Sequence, residues 1–267
     1  QFQKVTDGLV LDQTNNPGGN MMYLNALLSM MTDKPLLVPK HRVLISEEDA
    51  MLASQILDQA AADAEGTSEE IAAMEEMGMM MMGPGSDLIV DYAKFILSEL
   101  KAGRRFTSAT ALFGMDKIAP HPQVRYTKPI VVLVNELDFS GGDFLPAIMQ
   151  DNGRAVILGV KTAGAGGGVK SVEFPNQVGI AGFSYTWTIA ERLNGQPIEN
   201  LGVTPDVPYE ITADDIRNGF EGYRQAILAA LKAKSETRLI ADEDERSADE
   251  RPVRRSRIPV RGGDHIY

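Results

Sequence analysis

The stretch from Ile130 to Val160 constrains the fold more than any other part of the chain. Ile130-Val131-Val132-Leu133-Val134 is apolar without interruption, and a strand carries five consecutive apolar side chains only when both of its faces are covered. After a turn from Asn135 to Gly142, Phe144, Leu145, Ile148 and Met149 recur at helical spacing until Asn152-Gly153 stops the helix. Arg154 to Val160 then reads as a second buried strand. Strand, helix and strand at this spacing make a βαβ unit, which predicts an α/β fold with parallel strands in a layered core.

Weaker signals surround this unit. Asp7 to Asp12 reads as a short buried strand, closed by the polar turn Gln13 to Gly19 and followed by a helix carrying Met22, Leu24, Leu27, Leu28 and Met31. Ser46-Glu47-Glu48-Asp49 has capping-box spacing ahead of Leu52, Ile56 and Ala60, expected on one helix face. Thr67-Ser68-Glu69-Glu70 repeats the signal, and the run Met79 to Met82 with Gly83-Pro84-Gly85 closes that second helix. A third helix is expected from Ser86 to Gly103, with Leu88, Tyr92, Phe95, Ile96 and Leu100 inward. From Val169 to Leu193 the pattern alternates, placing Phe183, Tyr185, Trp187 and Ile189 on one strand face. A last amphipathic helix is expected from Ala213 to Lys234. Residues 1–45 thus open the core, 46–127 form a largely helical, acidic and methionine-rich insertion, 128–234 carry the core with its serine turn, and 235–267 form a mixed-charge tail. That tail is expected to be poorly ordered or draped over the surface, docking through Ile258, Pro259 and Val260.

Charge locates the insertion. The 267 residues hold 26 Lys and Arg against 37 Asp and Glu, a net charge of −11. Between Val43 and Ala93 there are twelve acids and no base, so the remaining 25 acids nearly balance the 26 bases. A neutral body with one acidic segment lacks the basic face that nucleic-acid binding needs. With no cysteine there is no disulfide, thiolate nucleophile or cysteine-based zinc site. No apolar run reaches the roughly 18 residues of a membrane helix. His41, His121 and His265 are isolated; His41 beside Arg42 and His121 between two prolines read as exposed loop residues, and His265 lies in the tail. No metal or other cofactor is expected.

Three turns could carry chemistry. Ser140 lies where a buried strand becomes a helix, beside the amide of Gly141 and the positive end of the helix, a place where a nucleophile can stand on a tight turn. A serine there also serves commonly as a helix cap. The Asn15-Asn16-Pro17-Gly18-Gly19 turn presents bare backbone N–H groups, usable as half of an oxyanion hole or as a plain strand-to-helix connection. Thr162-Ala163-Gly164-Ala165-Gly166-Gly167-Gly168 lacks the spelling of a phosphate loop and suits close approach of an extended peptide equally well.

Together these segments resemble the S41 peptidases, the C-terminal processing or tail-specific proteases. Leu9 to Gly19 is similar to the family's strand and Asn-Pro-Gly-Gly turn, Pro129 to Asp143 to its nucleophile strand and serine turn, and Arg154 to Gly166 to the strand and Thr-x-Gly loop that follow. Gly202-Val203-Thr204-Pro205-Asp206-Val207 is similar to its closing Gly-Val-x-Pro-Asp segment. The resemblance covers roughly residues 5 to 215 and implies a layered ClpP/crotonase-like core. The lysine of a Ser-Lys dyad would fall at position 165, which is Ala165, and Lys161 and Lys170 do not match. The chain most resembles the chlamydial protease-like activity factor branch, whose loop also reads Thr-Ala-Gly-Ala-Gly-Gly.

That resemblance implies a triad with Ser140 as nucleophile, Glu199 as orienting acid and a histidine that precedes the Asn-Pro-Gly-Gly turn in the precursor. No histidine of this chain does so. The expectation is therefore the C-terminal catalytic portion of a processed, exported, periplasmic or secreted serine endopeptidase. Gly141 and one of Gly18 or Gly19 would donate to the oxyanion, and no cofactor takes part. Its partners would be the N-terminal fragment and peptide or protein substrates, with a homodimer left open. The alternative is a non-catalytic S41-like peptide-binding or scaffold protein. A crotonase-like acyl-CoA enzyme accounts for the glycines but not for Ser140 or Pro205-Asp206.

Overall fold

The computed structural model describes residues 1–65, 87–173 and 178–249. Along the chain run helix α1 (Phe2–Val5), strand β1 (Leu9–Asp12), helix α2 (Met21–Ser29), strands β2 (Leu36–Leu37) and β3 (Lys40–Val43), and helices α3 (Glu47–Glu65) and α4 (Asp87–Lys101). Strands β4 (Lys117–Ile118) and β5 (Ile130–Val134), helix α5 (Gly141–Asp151) and strand β6 (Val156–Gly159) follow. The remainder is β7 (Val169–Glu173), β8 (Gly182–Thr186), β9 (Thr188–Glu191), β10 (Val207–Pro208), α6 (Ala213–Arg217) and α7 (Glu221–Asp249).

The apolar run sits in the middle of a parallel sheet ordered β1-β5-β6-β10, with Val131 opposite Val156 and Val10 opposite Val131. All five β5 side chains are buried. Ile130, Val132 and Val134 pack with Leu28, Phe144 and Ile148 of α2 and α5, while Val131 and Leu133 pack with Leu158 and Ala230 of α7. The result is helix, sheet, helix, the layered α/β core expected; each fully buried aliphatic side chain contributes about 1.5–3 kcal/mol to it. Strand β1 differs from expectation. It lies at the sheet edge with only half its side chains covered, and Val10 is exposed.

A second apolar cluster joins Val43, Ile45, Ala53, Ala93, Ile96 and Leu112, with Ile56, Leu57 and Phe95 against it. Ser46 and Asp49 form the expected reciprocal cap of α3. Ile56, Tyr92, Phe95 and Ile96 face inward as expected, but Leu52, Leu88 and Leu100 are exposed, and Ala53, Ile89 and Ala93 are buried. Alanines at the α3–α4 seam let the two backbones approach, which turns the bulkier leucines outward. Buried Glu99 accepts from Arg104 and from the Ser108 amide, and the Arg104 hydrogen bonds hold its carboxyl down at about 2.

Two further differences matter. The alternating strand breaks at Trp187: β8 pairs with β7, whereas β9 pairs antiparallel with β3, burying Thr188 and Ala190 rather than Ile189. The last helix is two, with Thr212 and Asp215 closing a capping box on α6, and α7 runs beyond Lys234 to Asp249. The Thr67 to Glu70 signal, the Met79 to Met82 run with Gly83 to Gly85, and the tail residues Ile258 to Val260 and His265 lie outside the described residues.

Candidate active site

Two turns leave the carboxyl ends of neighbouring strands, the Gln13–Gly19 turn from β1 and the Asn135–Ser140 turn from β5. Asp138 ties them together. Its fully buried carboxylate accepts from the amides of Asn135 (2.9 Å) and Asn16 (2.8 Å) and from Gln13 Nε2 (3.3 Å), and the Phe139 amide donates to the Asn16 carbonyl (2.8 Å). Burial pushes the Asp138 carboxyl up, against the pull of those donors.

Ser140 holds the position before α5 with φ 51° and ψ −112°, a conformation that costs a non-glycine residue about 1–3 kcal/mol. Its side chain makes no capping hydrogen bond, so the hydroxyl is not spent on the helix. The Asn-Pro-Gly-Gly turn presses directly on it. A Cβ on Gly18 (φ +90°) would lie 2.7 Å from Ser140 Cβ and from the Gly141 nitrogen, and one on Gly141 would lie 3.3 Å from the Gly19 nitrogen. The Gly18 N–H is taken by Asn16 Oδ1 (3.0 Å). Among the described residues the N–H groups of Gly19 and Gly141 have no acceptor, which separates Gly19 from Gly18 as a candidate donor.

The glycine-rich loop hangs from Asp143, on the first turn of α5. The buried Asp143 carboxylate accepts from Thr162 Oγ1 (2.6 Å) and from the amides of Gly164 and Ala165 (both 2.9 Å), and Thr162 Oγ1 accepts in turn from the Val203 amide (2.7 Å). The Asn200 amide donates to the Gly164 carbonyl (2.7 Å), so the Glu199 turn is carried by this loop. Burial, and then the Asp143 charge, push the Glu199 carboxyl up, and its Oε2 is buried without a hydrogen-bond partner among the described residues. The Asp206 of Gly-Val-x-Pro-Asp accepts from the Ile157 amide (2.8 Å) and so anchors the segment to β6.

The lysines lie elsewhere. Lys170 Nζ pairs with Asp49 (2.6 Å) and sits 4.7 Å over the Trp187 ring, and Lys161 is exposed. Against the upward push of burial, Lys170 and Ser46 hold the Asp49 carboxyl below its usual range. His121 caps its own turn, with Nδ1 accepting from the Gln123 and Val124 amides. The expectation for His41 fails. It lies on β3 and is 3% exposed, because strand alternation turns it inward between Lys40 and Arg42. That alternation was the signal by which it could have been found. Among the described residues no cluster of three or more His, Asp or Glu side chains could hold a metal, and no helix is long and apolar enough to cross a membrane.

Residues 1–209 match the model of peptidase family S41. An uncharacterized protein of Chlamydia muridarum is 43% identical over 252 residues, covering 91% of this chain and 41% of that protein. A Chlamydia pneumoniae protein is 38% identical over 256 residues, covering 94% of this chain and 41% of its own length. The solved structure of mature CPAF complexed with lactacystin superposes with a TM-score of 0.75 at 38% identity, covering 91% of this chain and 46% of that one. The chain thus spans less than half the length of these relatives. It belongs to peptidase family S41, in the CPAF-like branch.

Proposed function

We propose that this chain is the C-terminal catalytic portion of a serine endopeptidase whose general base comes from outside it. Ser140 Oγ attacks the peptide carbonyl and forms an acyl-enzyme. A histidine from the N-terminal part of the same precursor takes the Oγ proton and passes it to the leaving amine; water then releases the acyl group by the same route. Gly141 and Gly19 donate their free N–H groups to the oxyanion. Glu199 accepts from the incoming imidazole and fixes its tautomer. Peptides or proteins are the substrates, and the family's exported members lead us to place the enzyme outside the cytoplasm after processing.

The observation that carries this reading is Glu199 Oε2, buried beside the glycine loop with no donor among the described residues. Burying such a group without a partner costs about 1–3 kcal/mol or more, which a donor supplied from elsewhere would recover. The test is labelling with a fluorophosphonate. Residues 1–267 alone should be neither labelled nor active; with the N-terminal portion present, label should appear on Ser140 and peptide hydrolysis with it. Ser140→Ala should abolish both while keeping the fold, since no cap bond is lost. Turnover retained in Ser140→Ala would favour a non-catalytic peptide-binding role for this chain, and activity of residues 1–267 alone would overturn the outside base.

A further inference from the structure

His41 touches the serine helix and, through Thr188, reaches the glycine loop. Its ring stacks on Phe144, one helical turn after Ser140, with centroids 5.6 Å apart and planes 12° from parallel. Its Nδ1 lies 3.0 Å from Thr188 Oγ1 across the β3–β9 pair, and Thr188 is fully buried. The same hydroxyl receives the Gly168 amide at 2.7 Å. A threonine hydroxyl has one proton to give. Gly168 fills one of the two lone pairs of Oγ1, and among the described residues the acceptor within reach of the Thr188 proton is His41 Nδ1. That arrangement needs a neutral ring protonated on Nε2, and burial, which lowers the His41 pKa to about 4, keeps it neutral. The ring also borders a cavity of about 30 Å³ lined by Met21, Leu24, Asn25 and Ile148, enough for about one water beside the ring.

Gly167, next to Gly168, leaves no room for a side chain between the strand and Glu199. A Cβ on the adjoining Gly167 would fall 2.2 Å from Thr186 Cγ2, 2.5 Å from the Thr188 carbonyl and 3.2 Å from Glu199 Oε2. The strand, the glycine loop and the carboxylate are therefore near neighbours, and the position of the loop sets the surroundings of Glu199.

We propose that His41, as the Nε2–H tautomer, is a positioning residue: by accepting from Thr188 it fixes the Gly168 amide, and through Gly167 it seats Glu199. The role rests on the reading of Ser140 and Glu199 given above. It differs from core packing, which needs only the ring's shape. Through Phe144 the same imidazole steadies the serine helix, so one buried side chain registers the nucleophile against the acid.

The experiment uses the enzyme assembled with its N-terminal portion. His41→Phe keeps the stack and removes the acceptor; His41→Asn can restore an acceptor near the Nδ1 position. In His41→Phe the Gly168 amide should exchange with solvent at least 10-fold faster, and kcat should fall at least 10-fold with KM within about twofold. His41→Asn should recover most of both. Nitrogen-15 spectra of the wild type should show protonated Nε2 and bare Nδ1. Wild-type Gly168 protection and kcat in His41→Phe, or a proton on Nδ1, would overturn the proposal. Should His41→Phe fail to fold, Thr188→Val removes the hydroxyl from the other side and must show the same losses; an unchanged Thr188→Val overturns it equally. Failure of the serine-peptidase reading looks different: wild-type turnover would be absent or independent of Ser140, whereas the tautomer and Gly168 exchange report the relay without turnover.

Discussion

Gly18 lies so close to Ser140 that a Cβ added to it would sit 2.7 Å from the Ser140 Cβ, inside any real carbon–carbon contact. The same atom would meet the Phe139 carbonyl and the Gly141 nitrogen at 2.7 Å, both of them backbone that cannot swing aside. With φ at +90° as well, Gly18→Ala should lose about 1–3 kcal/mol of stability. By pushing the two turns apart it should also lower kcat on the order of 100-fold, the scale of losing one oxyanion donor. Gly19→Ala meets no atom within 4 Å and should be the milder change in thermal melts, although its φ of +151° still strains it. Melting curves and peptide hydrolysis of the two variants check the contrast.

Much of this was legible before the structure, and the parts that were not share a cause. Ile130 to Val134 announced a strand covered on both faces because no polar residue interrupts it, and five buried side chains are what it shows. Ser140 could be located on its turn, but cap and nucleophile share the same local spelling; the absent cap bond argues against the first of these roles. His41 reads as an exposed loop residue because its neighbour Arg42 suggests solvent, though period-two alternation turns residue 41 inward with Val43. The pairing of β3 with β9 joins residues almost 150 positions apart, and no local pattern encodes such a partner. Beyond Lys234 the apolar stripe of α7 fades while good helix formers continue, so the helix extends past the point where periodicity can trace it.

Glu199→Gln should separate stability from activity. Burial and the nearby Asp143 charge raise the Glu199 carboxyl, so the fold holds a proton there more readily than the unfolded chain. At neutral pH the ionised group is therefore a small liability, and the neutral amide removes it. The variant should melt at the same temperature as wild type or above it, while peptide hydrolysis by the assembled enzyme falls about 10²- to 10⁴-fold, as expected when the imidazole loses its orienting acid. A stability loss with intact turnover would mean that Glu199 is a structural group.

Asp143→Asn should do the reverse. All the donors on the Asp143 carboxylate, Thr162 Oγ1 and the amides of Gly164 and Ala165, point inward at a fully buried group. An amide can match a carboxylate only on its oxygen; its NH₂ would face a donor. The expected loss is about 2–4 kcal/mol, measured by chemical unfolding, with the glycine loop becoming sensitive to proteolysis first. Asp143→Glu should not rescue it, because the added methylene has no room in a site with no exposed surface.

The last prediction concerns acid. His41 has a pKa of about 4 in the fold, lowered by burial, against an ordinary value of 6.5. Between those values the unfolded chain binds a proton that the fold does not, so stability rises with pH across the window and is lost as pH drops from about 6.5 to about 4. Below about 4 both states are protonated and this contribution stops changing. The full span corresponds to a loss on the order of 3 kcal/mol. Asp138 and Glu199, whose carboxyls are raised by burial, act with the opposite sign: the fold protonates them before the unfolded chain does, and acidification there adds stability. Raw wild-type curves therefore mix the two effects. The difference between wild type and His41→Phe isolates the first, since both proteins keep the carboxylates. Chemical unfolding of the pair at pH 7, 5.5 and 4.5 should show wild type losing stability relative to the variant at each step. A constant difference across that range would mean that His41 carries a proton in the fold, and that Thr188 must send its own proton elsewhere.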